Sequence, residues 1–241
     1  MLINGLVKPL QRQTLSADVY EQLKELLMSG RMMPGQQLSL RSTAEALNVS
    51  VMPVREATQR LVAEKALEIG PSRIIRVPTM TVSQFREVTS IRINLEGFAA
   101  EQACIRIDKA SLLQIETLHR AFDDELVQEN PDGTKLISIN KDLHFSIYKC
   151  AEMPILLQLI EALWLRIGPI LNYDLRSGSK RLETRVIVDH YTRLAKTLND
   201  HTRLVDALRI KDIDGVKAAL KSDIESAAEF IVSSGSLVIS D

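Results

Sequence analysis

Four side chains in the C-terminal part of the sequence have the residue types and the spacing of a metal site. Asn140 and His144 are four residues apart, so a helix would present both on one face. His201 and Asp223 each lie 11 residues from Asp212, where the sequence predicts the turn of a helical hairpin. Positions equidistant from such a turn face each other across antiparallel helices. Two nitrogen and two oxygen ligands converging in this way could hold Zn²⁺, or another divalent metal such as Ni²⁺ or Mn²⁺.

The same spacing also fits histidines that have a purely structural role, because a single histidine on a helix usually belongs to a core or a solvated surface. His119 and His190 lack such a pattern, and we expect both on the surface. Arg92 and Arg166 interrupt apolar stretches and are candidates for binding an anion, since a guanidinium can clamp a carboxylate with two hydrogen bonds. Arg92 could equally pair with Glu96, one helical turn away.

These residues fall in a stretch of amphipathic helices that begins after Pro78. Six or seven helices are predicted there, and no strand pattern competes with them. The predicted helices cover about 81–106, 109–128, 134–151, 154–171, 180–199, 201–210 and 212–233. Such a series forms an all-α antiparallel bundle large enough for its own core. The predicted breaks between helices are at Asn130-Pro131-Asp132-Gly133, Pro154, Ser177-Gly178-Ser179 and Asp212-Ile213-Asp214.

The first 78 residues have a different pattern, in which three helices precede two short strands. The helices are predicted over 15–29, 40–47 and 53–65, and the strands over 67–69 and 74–77. This order is that of a winged helix-turn-helix. The predicted fold is therefore mainly α, with a DNA-binding domain at 1–78 and a helical effector-binding and dimerisation domain at 79–241.

In a winged helix-turn-helix, the N-terminal residues of the third helix reach base edges in the major groove. Arg55 could hydrogen-bond to guanine O6 and N7 or to a phosphate. The alternative is that Arg55 and the other arginines of this domain are ordinary solvated residues on its surface. The candidate DNA contacts are Arg41, Ser50, Val51, Met52, Arg55, Gln59 and Arg73.

The composition is that of a globular protein, with 45% hydrophobic and 25% charged residues among 241. Through Pro78 the net charge is +3 and in the remainder it is −4, which suits a polyanionic partner for the first part. Two cysteines exclude a disulfide framework. With no secretory signal and no apolar run of roughly 18 residues, we expect a cytoplasmic protein without a membrane partner.

Residues 19–62 closely resemble the DNA-binding domain of the GntR family of bacterial transcription regulators. The resemblance rests on Gly30-Arg31, Pro34-Gly35, Leu40…Ala44…Leu47, Val49-Ser50 and Pro53-Val54-Arg55-Glu56-Ala57. It implies binding to double-stranded operator DNA. The family commonly has Arg-Thr where this chain has Val51-Met52, and a wing-tip glycine where it has Ile74-Ile75. These departures bear on the operator sequence and leave the fold intact.

Residues 85–230 are similar to the FCD domain, the all-helical effector domain of the FadR-type branch of this family. The matching motifs are Ile91-Arg92…Leu95-Glu96…Ala99-Ala100, Asn140…Leu143-His144…Ile147-Tyr148 with Pro154…Leu156, 201–208 with Asp212, and Ala218…Leu220…Asp223-Ile224. Most metal-binding members supply one Asp and three His. The resemblance places Asn140 at the Asp and Asp223 at the third His, so the formal ligand charge stays at −1. It implies a small organic acid near or on the metal.

The function implied is a ligand-responsive transcription regulator, expected to be a repressor. A homodimer would place two recognition helices on a palindromic operator. One alternative is a metal-dependent enzyme on a helical bundle, although no general base accompanies the ligands and we assign no catalytic residue. The other is a DNA-binding dimer whose helical part takes no ligand.

Overall fold

The computed structural model describes residues 15–175, 184–235 and 237–238. It confirms the mainly helical fold, with a small sheet near the N-terminus. The helices are α1 (Leu15–Met28), α2 (Leu40–Ala46), α3 (Val51–Ala63), α4 (Val82–Arg106), α5 (Lys109–Leu126), α6 (Gly133–Lys149), α7 (Pro154–Leu175), α8 (Thr184–Ile210) and α9 (Ile213–Ser233). The strands are β1 (Gln37–Leu38), β2 (Glu68–Ile69) and β3 (Ile75–Arg76).

The helix-turn-helix is formed by α2 and α3, which pack beside α1. The Ser39 side chain caps α2 by accepting a hydrogen bond from the Ser42 backbone N–H. Asn48, with a φ of +52°, makes the turn into α3, and asparagine tolerates this left-handed conformation better than most residues. Val54 and Leu61 on α3 are buried, so the opposite face of this helix is directed at solvent.

The wing has three strands rather than the two predicted. They are antiparallel in the order β1-β3-β2, and β1 was missed because two residues give no readable alternation. At the wing tip, Ser72 and Arg73 both adopt positive φ angles, of 59° and 61°. The wing tip therefore has a left-handed backbone without a glycine, although glycine would adopt this conformation with less steric strain.

The C-terminal part contains six described helices, α4–α9, in agreement with the predicted bundle. The predicted break near residue 200 is wrong, because α8 runs without interruption from Thr184 to Ile210. No proline or glycine interrupts this stretch, and the buried Asp200 carboxylate accepts a hydrogen bond from Ser222 Oγ at 3.0 Å. The polar pair Asn199-Asp200 is thus accommodated inside one helix. The predicted break at 177–179 lies outside the described residues.

The central helix of the bundle is α7, which packs against α1, α4, α6 and α9. Its window Pro154–Leu171 has a mean hydropathy of 1.5 and is, by length and composition, the one described helix that could cross a membrane. Half of that window is buried inside the fold, and Ile160, Trp164 and Ile167 are core residues. The apolar composition of α7 therefore fits its central position in the core.

Candidate functional site

Three buried side chains meet where α6, α8 and α9 face one another. His144 Nε2 lies 3.4 Å from Asp223 Oδ2, and His201 Nε2 lies 3.8 Å from Asp223 Oδ1. One ligand atom from each residue lies within 4.8 Å of the others. The α8–α9 hairpin turns at Lys211 and Asp212, so His201 and Asp223 face each other as their equal distance from the turn predicts.

Asn140 lies on the wall of the same small cavity as His144 and Asp223. The cavity has a volume of about 20 Å³, which is room for one water molecule or one ion. Its described lining is Arg92, Asn140, His144, Leu171, Arg193, Thr197, Asp223, Ile224 and Ala227.

The protonation states of His201 and Asp223 are those that metal ligands require. Burial lowers the pKa of His201 to about 3, so its ring is neutral at pH 7. Burial alone would raise the pKa of Asp223, but the close contact with His144 and the nearby His201 and Arg193 outweigh it and hold the pKa well below its usual range. The cluster thus offers a neutral imidazole and a carboxylate.

Several polar atoms of the cluster form no hydrogen bond with the part of the chain that the structure describes. They are His144 Nε2, both ring nitrogens of His201 and Asp223 Oδ1. Buried polar atoms without partners are costly, and here one ligand atom from each of the three residues lies within 4.8 Å of the others. A divalent cation would satisfy nitrogen and oxygen acceptors together, so these residues fit a metal ion.

The two arginines singled out from the sequence occupy different environments. Arg92 lines the cavity but is held by Glu96, to which its Nε and Nη2 atoms donate hydrogen bonds of 2.6 and 3.2 Å. This is the alternative pairing that the i, i+4 spacing allowed, although in a buried rather than an exposed setting. Arg166 is exposed on α7, two residues from buried Trp164, and the structure does not bring it to the cavity.

A cation that the sequence did not reveal also lines the cavity. Arg193 is buried on α8, with Nη2 4.0 Å from Asp223 Oδ1, and it hydrogen-bonds to Thr197. Arg193, Thr197 and His201 are spaced by four residues, which places them on one helical face. The predicted break near residue 200 assigned Arg193 and His201 to different helices, and therefore concealed this pattern.

His119 is buried, contrary to the expectation of a surface position. Its Nε2 atom lies 3.2 Å from Thr202 Oγ1, and its Nδ1 atom lies 3.3 Å from Asp123 Oδ1. The ring packs edge-on against His201, with centroids 6.5 Å apart. The side chain of His190 lies outside the described part of the structure.

The candidate DNA contacts lie on the outer surface of the N-terminal domain. Ser50, Met52 and Arg55 are exposed at the N-terminal end of α3, and Val51 there is half-buried. Gln59 is exposed two turns further along the same helix. Arg41 on α2 and Arg73 at the wing tip are also exposed. A neighbouring arginine of the wing, Arg76, instead pairs with Glu68 at 2.6 Å.

A winged helix-turn-helix joined to a helical domain with a buried polar cavity defines a class of protein, the one-component transcription regulators. Residues 15–77 match the family model described as bacterial regulatory proteins, gntR family, and residues 87–226 match that of the FCD domain. The chain therefore belongs to the GntR family and carries an FCD effector-binding domain.

Similar transcription regulators from other bacteria support the same assignment. The transcriptional regulator McbR of Escherichia coli K12 is 32% identical over 207 residues, covering 86% of this chain and 88% of McbR. The gluconate operon transcriptional repressor of Bacillus subtilis is 24% identical over 207 residues, covering 85% and 80%. Both are transcription regulators, and this chain is a DNA-binding regulator of the same family.

Solved structures of the family share the fold. The structure of Escherichia coli McbR/YncC superposes with a TM-score of 0.81 at 27% identity, covering 93% of this chain and all of that one. A GntR transcriptional regulator from Rhodococcus sp. RHA1 gives a TM-score of 0.69 at 20% identity, covering 90% and 97%. The fold is therefore common to these proteins.

Proposed function

We propose that this protein is a repressor whose operator binding is controlled by a small organic acid in a metal-containing helical domain. The observation that carries the proposal is the convergence of His144, His201 and Asp223, with unsatisfied polar atoms, in a chain that also carries a recognition helix. The domains divide at residue 78, a boundary supported by family matches that end at 77 and begin at 87.

Asn140, His144, His201 and Asp223 would hold the metal. Two imidazoles with oxygen ligands favour Zn²⁺, and Ni²⁺ or Mn²⁺ also accept this donor set. The metal would supply a Lewis-acidic point at which a carboxylate can bind. Arg193, whose guanidinium faces Asp223, adds positive charge to the same wall.

The acid would act on DNA binding by shifting the position of α6. The described cavity holds about one ion, so an acid that enters it has to displace a wall. Lys141, which follows Asn140 on α6, donates to both carboxylate oxygens of Glu25 on α1 at 2.6 Å. Since α1 packs on α3, a shift of α6 reaches the recognition helix, and the ligand favours one of two arrangements of the domains.

The active species would be a cytoplasmic homodimer on a palindromic operator. Two-fold symmetry in the protein would match two half-sites in the DNA. The named relatives are transcription regulators, which favours this function over a metal-dependent enzyme.

The test is the metal content of protein purified without a nickel column or chelator, measured by inductively coupled plasma mass spectrometry. We expect about one equivalent of divalent metal per chain, lost in His144→Ala and in His201→Ala, because each removes a ligand. Cys104→Ala is the control, since it removes a buried side chain of a metal-binding type outside the cavity lining. Wild-type protein that takes up no metal even after reconstitution would contradict the proposal.

A further inference from the structure

A fully buried carboxylate, that of Glu96 on α4, lies beside the candidate metal site. Arg92 donates to it through Nε and Nη2, as described above, and Trp164 Nε1 on α7 donates at 3.1 Å. Tyr148 on α6 donates its hydroxyl proton to Glu96 Oε2 at 2.6 Å. Four hydrogen bonds from three side chains therefore fix Glu96 in one position and stabilise its charge.

Tyr148 connects Glu96 to the candidate ligand His144. The Tyr148 oxygen lies 3.0 Å from His144 Nδ1, one helical turn away on α6. A tyrosine hydroxyl has one proton, and here that proton points to Glu96. The oxygen must therefore accept a hydrogen bond from His144, which requires a proton on Nδ1.

This tautomer determines what His144 presents to the cavity. With Nδ1 protonated, Nε2 of a neutral ring carries a lone pair, and it lies 3.4 Å from Asp223 Oδ2. Two acceptor atoms facing each other at this distance repel, unless a proton on Nε2 or a metal cation lies between them. With Nδ1–H held by Tyr148, the lone pair of a neutral His144 ring is therefore directed where a metal would bind.

We infer that Glu96 and Tyr148 are positioning residues for metal binding, which act by holding His144 in the Nδ1–H tautomer with Nε2 directed at the metal. The inference rests on the proposed metal site. Hydrogen bonds to the second ring nitrogen orient histidine ligands and raise their basicity. Here the carboxylate acts through a tyrosine, and Arg92 serves first to hold that carboxylate.

The first test is Tyr148→Phe, which removes the hydroxyl and keeps the ring. We expect Zn²⁺ affinity, measured by competition with a chromophoric chelator, to fall about 10- to 100-fold. Tyr20→Phe is the matched control, because the Tyr20 hydroxyl also donates to a carboxylate, that of Glu64 at 2.7 Å, within the DNA-binding domain. An unchanged affinity in Tyr148→Phe would overturn the inference.

The second test reads the tautomer itself in metal-free protein, by long-range ¹H–¹⁵N correlation of the imidazole nitrogens. We expect Nδ1–H for His144 in the wild type. In Glu96→Gln the amide N–H can donate to Tyr148, whose proton then turns to His144 Nδ1 and leaves the proton on Nε2. That variant should show the reversed tautomer and weaker Zn²⁺ binding.

The two tests separate this inference from the metal site on which it rests. Wild-type protein that binds none of Zn²⁺, Ni²⁺ and Mn²⁺ would refute the metal site. An Nε2–H tautomer in metal-free wild type would refute the relay, whether or not the variants fold.

Discussion

The position of one carboxylate distinguishes this site from the pattern of its family. The resemblance to metal-binding FCD domains implies an Asp at the position of Asn140 and a third His at the position of Asp223. The Asp223 carboxylate contacts both His144 and His201. The negative charge therefore lies between the two histidines, and the proposed site keeps the formal ligand charge of −1 that the family pattern implies.

Contacts within one helix or one hairpin could be predicted from the sequence, and contacts between distant helices could not. The spacing of Arg92 and Glu96 already indicated their pairing, as did the hairpin for His201 and Asp223. Nothing local indicated that Trp164 on α7 would donate to Glu96 on α4. That contact depends on how two helices pack, which no periodicity in either helix specifies.

At the same scale, Arg55→Ala tests the recognition helix. The exposed guanidinium at the start of α3 is placed to bind a guanine edge or a phosphate, so its loss should weaken operator binding by about 1–3 kcal/mol. The measurement is an electrophoretic mobility shift titration at fixed salt. Arg120→Ala, which removes the same charge from the helical domain, should bind as wild type does. Equal affinity of the Arg55 variant and wild type would show that the helix is misassigned.

Helix ends marked by capping residues were predicted closely, and those marked only by polar side chains were not. Asp108, Asp132 and Asp212 each accept a hydrogen bond from a backbone N–H of the helix they precede. At Asn199-Asp200 the sequence is equally polar, yet α8 continues, because Ser222 on α9 satisfies Asp200. A tertiary partner thus overrides a local signal.

One helix carries an exposed apolar stripe that bears on assembly. On α4, Ile91, Phe98 and Ile105 are 40%, 42% and 51% exposed, and their spacing of seven residues places them on one face. In two antiparallel copies centred on Phe98, Ile91 of each would meet Ile105 of the other. This symmetry is the basis for expecting that α4 forms the homodimer interface.

Phe98→Glu tests that interface. A charge at the centre of the stripe should convert the dimer into a monomer and weaken binding to a palindromic operator, because a monomer engages one half-site. Light scattering coupled to size-exclusion chromatography gives the mass. Val127→Glu, at an isolated apolar residue that is 75% exposed, is the control and should leave the mass unchanged. A dimeric Phe98→Glu protein would place the interface elsewhere.

At the scale of the whole molecule, the two domains share one continuous core. Buried residues of α1, including Leu27, belong to the same cluster as Trp164 and Ile167 of α7. Gly168 allows this close approach, since a Cβ there would meet Leu27 O and come within 2.8 Å of Met28 Cα. Salt bridges join the same surfaces, from Lys24 to Glu161 at 2.6 Å and from Lys141 to Glu25. The domain boundary in the sequence is therefore not a boundary in packing.

Gly168→Ala tests whether this contact makes the two domains a single folding unit. The added methyl group has only backbone atoms of α1 to displace, so the free energy of unfolding should fall by about 1–3 kcal/mol. Gly97→Ala on α4 is the control, because a Cβ at Gly97 would meet nothing within 4 Å. Since alanine is a better helix former than glycine, this variant should gain about 0.5–1 kcal/mol in free energy of unfolding. Urea unfolding followed by circular dichroism measures both changes.

If α1 is loosened, the Gly168 variant should also lose the single transition expected of the wild type, because the winged domain would unfold first. Equal stability of Gly168→Ala and wild type would mean that α1 moves away at no cost, and that the domains are joined only by their linker.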